Sequence, residues 1–124
     1  MSNNKLLLSI IEMGGYPDFT PLYEKLGYQV VVESKMRKVL KLLKKQTPDV
    51  IVAEFNFQSD FRDRTSTLES LMSVVERMPD TRTVIFYDKE YLPQLNRLQK
   101  HYSFTETLAF PVDQGMLEAK LAEF

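Results

Sequence analysis

The segment Pro48-Asp49-Val50-Ile51-Val52-Ala53-Glu54 contains an apolar run, Val50 to Ala53, of strand length that ends on an acid. Similar runs occur at Leu6 to Ile11, Val30 to Val32 and Val84 to Tyr87, with a weaker one at Phe104 to Ala109. The first four are nearly continuous in apolar or β-branched residues, as expected of strands covered on both faces. Segments of helical period lie between them. Met36, Val39, Leu40 and Leu43 recur at i, i+3, i+4, i+7, and so do Leu68, Leu71, Met72 and Val75. Thr20 before Pro21 predicts an N-cap and first turn, and Gly27 predicts the exit. Ser66 with Glu69 suggests a capping box, and Asp113 a cap for a last helix over Gln114 to Glu123.

Five β–α units in tandem require crossover helices on both faces of one parallel sheet. The expected fold is a doubly wound α/β (βα)5 sandwich, a five-stranded parallel sheet with helices on both faces, as one domain over residues 1–124. In such folds ligands bind beyond the carboxyl ends of the strands. That selects Glu12-Met13-Gly14-Gly15, Glu33-Ser34, Glu54-Phe55-Asn56, Asp88-Lys89 and Phe110-Pro111.

Composition narrows the chemistry. The 124 residues include no cysteine, which removes disulfides and thiolate sites, and one histidine, His101, which builds no multi-histidine centre. His101 reads as a helix-end residue beside exposed carbonyls. Met36, Met72, Met78 and Met116 read as core packing. No apolar run is long enough to span a membrane, and no leader pattern precedes the first strand, so a soluble intracellular domain is expected. The formal charge of −1 hides an asymmetry. Lys35, Arg37, Lys38, Lys41, Lys44 and Lys45 place +6 on the second helix, against −7 on the rest. Without interleaved aromatics or a recognition motif, nucleic acid is a minor option. Such lysines most often form the solvated face of a helix whose other face is core; for docking to an acidic partner, Lys41 and Lys44 are the candidates.

The order and spacing of these segments resemble the receiver domain of bacterial response regulators, CheY-like modules. Residues 48–54 resemble the segment carrying the phospho-accepting aspartate, with Glu54 in that slot. Thr83-Val84-Ile85-Phe86-Tyr87-Asp88 resembles the fourth strand, Phe110-Pro111 the lysine–proline step, and Gly27-Tyr28-Gln29-Val30 the start of the second strand. The resemblance covers essentially the whole chain and implies the sheet order 2-1-3-4-5. It implies phosphoryl transfer from a histidine kinase, with magnesium held by an acidic pair and a lysine that neutralises charge. Every one of those slots is altered here. Glu54 replaces the aspartate, Glu12 alone stands for the acidic pair, and Asp88 takes the hydroxyl slot. Phe110 takes the lysine slot, and Thr107 takes the place of a switching aromatic.

The resulting expectation is a pseudo-receiver: a non-enzymatic, cytoplasmic signalling adaptor without cofactors, acting through protein partners. Glu54, Glu12 and Asp88 are expected to approach one another with no lysine between them, which raises a carboxylate pKa and repels a phosphoryl group. For Glu54, an acid solvated or hydrogen-bonded to the Gly14-Gly15 loop is preferred over a fixed imitation of the phosphorylated state. The alternative function is an acidic pocket in which Glu12, Glu54 and Asp88 hold magnesium or calcium; an empty pocket is preferred. Gly14-Gly15 reads as a tight turn of positive φ, not a phosphate cradle. A flavodoxin-like binder of nucleotide or flavin fits the fold but has no phosphate loop. Candidate interaction residues are Phe57, Phe61, Arg62 and Arg64 in the loop after the third strand. On the face of the fourth helix, fifth strand and last helix they are Gln99, Tyr102, Thr105 and Lys120, where a homodimer is also possible.

Overall fold

The computed structural model describes residues 5–56 and 67–124. In chain order it runs β1 (Lys5–Ile10), α1 (Thr20–Lys25), β2 (Tyr28–Glu33), α2 (Met36–Leu43), β3 (Val50–Phe55) and α3 (Thr67–Val75). Then follow β4 (Arg82–Tyr87), a 3-10 turn (Lys89–Tyr91), α4 (Leu92–Gln99), β5 (Glu106–Ala109) and α5 (Gln114–Ala122). All strand pairs are parallel, and the sheet order is β2-β1-β3-β4-β5, as expected from the sequence.

Alternation along each strand divides the apolar residues between two cores. Leu8, Ile10, Ile51, Ala53 and Ile85 meet Val39 and Leu43 of α2, Leu68, Leu71, Met72 and Val75 of α3, and Leu95 and Leu98 of α4. Leu7, Val50, Val52, Val84, Phe86 and Leu108 meet Leu22 and Tyr23 of α1 and Leu117 and Leu121 of α5. β3 is buried along its whole length, which explains its unbroken apolar run.

Local chemistry sets most boundaries. Gly27 turns the chain at φ +96° after α1, a conformation that disfavours any side chain. Asp113 Oδ1 accepts the amides of Gly115 at 2.8 Å and Met116 at 3.3 Å, capping α5. Three expectations are corrected. Thr20 is not the cap: it is the first residue of α1, and its amide donates to Asp18 Oδ1 at 3.0 Å. An aspartate two residues back makes this turn more readily than the threonine could for itself. β2 is covered only in part: Val31 packs against the first core and Tyr28 and Val30 against the second, but at this sheet edge Val32 is 50% exposed. Met116 is not core either; it is 52% exposed on the first turn of α5. Ser66 lies outside the described residues. Among the described residues no helix is long and apolar enough to cross a membrane.

Candidate functional site

β3 carries Glu54 to the carboxyl end of the sheet, opposite Phe86 of β4. The residue is 1% exposed. A carboxylate removed from water is costly unless donors replace its hydration. The chain between β1 and α1 supplies them. Gly14 and Gly15, at φ +71° and +83°, fold this segment back over the end of β3. Its amides then converge on one carboxylate. Glu12 N donates to Oε2 at 3.2 Å, Met13 N to Oε1 at 3.0 Å and Gly14 N to Oε2 at 3.3 Å. Successive main-chain N–H groups arranged in this way form an anion-binding nest.

Two side chains complete the set. Asn56 Nδ2 donates to Oε1 at 3.1 Å, and the Tyr16 hydroxyl donates to Oε2 at 2.6 Å. The latter is a short, charge-assisted bond. Burial, followed by the bond to and the charge of Glu54, pushes the Tyr16 hydroxyl far above the usual tyrosine range. From the described residues Glu54 thus accepts five hydrogen bonds, and both oxygens are engaged.

The Tyr16 ring is held by a second group of neighbours. It stacks on Phe110 at 5.6 Å between centroids and on Phe19 at 6.2 Å, and meets Phe86 edge-on at 5.2 Å. Phe110 thus gives the tyrosine a flat apolar surface. Its amide donates to Tyr87 O at 2.8 Å, which fixes the residue beside β4. A cleft of about 470 Å³ opens beside this cluster, between Gly15, Tyr16, Asp88, Phe110 and Val112.

The expected convergence of three acids is corrected. Asp88 is exposed, and its Oδ1 accepts Glu90 N at 2.9 Å, capping the 3-10 turn. Glu12 offers Glu54 its main-chain N–H. The described groups bonded to Glu54 are N–H and O–H donors, while the charge of Glu12 reaches Tyr16 beside it. Among the described residues no group of three His, Cys, Asp or Glu is placed to hold a metal ion. Thr107 stands half-buried on β5, in register with Ile85. Sequence reasoning singled out Glu54, its possible bond to the glycine loop and the change at Phe110. It missed Tyr16, whose place in a turn before Pro17 gave no sign of a buried hydroxyl.

Of the other candidates, Gln99 is exposed at the end of α4. Tyr102 packs against the α2–α3–α4 core. Thr105 Oγ1 accepts Thr83 N at 2.9 Å while Thr83 Oγ1 accepts Thr105 N at 3.1 Å, so Thr105 ties β5 to β4. Lys120 lies 3.7 Å from Glu106, linking α5 to β5. Lys41 and Lys44 are exposed. Phe57, Phe61, Arg62 and Arg64 lie outside the described residues.

No protein-family model and no curated protein matches the sequence. Solved structures do match it in shape. The chemotaxis response regulator CheY4 of Vibrio cholerae is similar with a TM-score of 0.74 at 18% identity, covering 98% of each chain. A response regulator receiver domain protein from Clostridium thermocellum is similar at 0.74 and 17% identity, over 96% of this chain and 92% of that one. A CheY-like receiver domain protein from Methanospirillum hungatei gives 0.73 at 12% identity, over 98% and 93%. At these identities the likeness is one of fold, and the chain has the architecture of response-regulator receiver domains.

Proposed function

We propose that this chain is a degenerate receiver, a non-enzymatic adaptor of bacterial signalling that works in the cytoplasm through protein contacts and without phosphorylation. The observation that carries this reading is the occupancy of the Glu54 carboxylate. An acceptor for phosphoryl transfer needs a free oxygen and nearby positive charge to neutralise the arriving group. Here both oxygens of Glu54 are engaged by the nest, Tyr16 and Asn56, and the lysine slot holds Phe110 stacked on Tyr16. Glu54 is then a structural anion that fastens the β1–α1 loop, in preference to an imitation of a phosphorylated state. The α4–β5–α5 face, with Gln99 exposed and Lys120 at its edge, is the surface offered for a partner or a second copy.

The test is incubation with a small phosphodonor and magnesium, followed by intact-mass measurement. The mass is expected to stay unchanged. An acid-labile acyl phosphate on Glu54 would overturn the proposal.

A further inference from the structure

A second surface, remote from Glu54, combines two features. The first is an open sheet edge. Among the described residues β2 pairs with β1 alone. Glu33 O accepts Ile11 N at 2.9 Å, so Glu33 turns its main-chain groups towards β1. In a parallel strand a residue's N–H and C=O lie on one side and alternate along the chain. Gln29 and Val31 therefore share the inner side, and Val30 and Val32 direct their N–H and C=O outward. Among the described residues nothing bonds to these groups, and no proline or bulge blunts the edge.

The second feature is the charge beside it. Arg37, Lys41, Lys44 and Lys45 are exposed and make no ion pair among the described residues. Lys35 and Lys38 lie close to Glu33, at the end of β2. Its carboxyl is held below the usual range first by the Ser34 and Lys35 amides, then by the charges of Lys38 and Lys35. The apolar side of α2, with Val39 and Leu43, is spent on the core, so its outward side is almost purely cationic.

We infer that the β2 edge and the outer face of α2 form one docking surface for an extended acidic segment of another protein, added to the sheet as a sixth strand. Main-chain groups of Val30 and Val32 would bond to the added strand, and its carboxylates would meet Arg37, Lys41 and Lys44. Charge decides against a second copy as occupant. Antiparallel pairing of two β2 edges about a two-fold axis sets both α2 helices on the same face, where their cations repel. The inference extends the protein-contact reading but does not depend on Glu54, so the phosphodonor result leaves it untouched.

The test uses the full chain and a short soluble peptide of alternating glutamate and valine, with a lysine–valine peptide as control. Binding is followed by amide chemical shifts and hydrogen exchange. The glutamate peptide is expected to bind, to protect the Val30 and Val32 amides, and to weaken with salt. Lys41→Glu with Lys44→Glu should weaken it at least about tenfold, as two exposed pairs become repulsions. Lys41→Gln with Lys44→Gln serves if the reversal disturbs folding. Equal binding of both peptides would overturn the proposal, as would binding without protection of those amides. So would binding only to phosphatidylserine vesicles or to a single-stranded oligonucleotide.

Discussion

Tyr16 gives its phenolic hydrogen to Glu54 Oε2 at 2.6 Å while its ring lies on Phe110. One residue thus joins the polar and the aromatic halves of the strand-end site. Tyr16→Phe keeps the ring and deletes the donor. A hydrogen bond to a buried charge contributes about 2 kcal/mol. The melting temperature is expected to fall by roughly 8 °C in a thermal scan, with the circular dichroism spectrum unchanged.

Glu54→Gln tests the nest itself. A glutamine amide presents one acceptor and one donor, so its NH2 end must face N–H groups that already lack water. The expected loss is about 3 kcal/mol in urea unfolding, larger than that of Tyr16→Phe. An equal or smaller loss would show that the amides do not need an anion. Magnesium and calcium are expected to leave the wild-type melting temperature unchanged, because a cation held by the native state would raise it.

Phe110→Lys restores the residue expected in that slot but removes the surface on which Tyr16 lies. The variant is expected to lose about 1–2 kcal/mol, from the ring pair and the apolar burial. It should still gain no phosphoryl group on incubation with a phosphodonor. A phosphorylated Phe110→Lys would locate the block in the missing lysine instead of the filled nest.

Alkaline pH separates buried from exposed phenols. Burial, with help from Glu54 for Tyr16 and from Asp18 for Tyr23, raises both hydroxyls far above their ordinary value of 10.0. The unfolded chain releases these protons first, so their contribution to stability is complete below pH 10 and is lost as the pH climbs beyond it. Of the six tyrosines, Tyr16 and Tyr23 should develop phenolate absorbance only as the fold is lost.

The sequence made the sheet legible because strand burial is written in side chains. Val50 to Ala53 and Val84 to Tyr87 are apolar for the reason that helices cover both faces. Asp113 and Gly27 were legible too, since a cap and a positive φ each demand a residue type. The edge position of β2 came with the family resemblance and not from its own residues, as Val30 to Val32 is as β-branched as a central strand; the exposure of Val32 was not legible at all. The approach of Glu54 to the glycine loop could be anticipated as one option, but its donors could not. Main-chain N–H groups are present at every non-proline position and leave no mark in composition. Asp88 misled for a related reason: it occupies a strand end, yet its carboxylate is used by its own turn.

The counter-charge of Glu54 is carried largely by peptide bonds, and that makes it invisible to the commonest genetic probe. Replacing Met13 by alanine preserves the very N–H that matters, so a side-chain scan of this loop would report tolerance where the structure has a dependence. The dependence is conformational: Gly14 at φ +71° is what aims the amides. The loop's sequence can therefore drift widely in lineage or library, provided the backbone path survives, while Glu54 cannot drift alone.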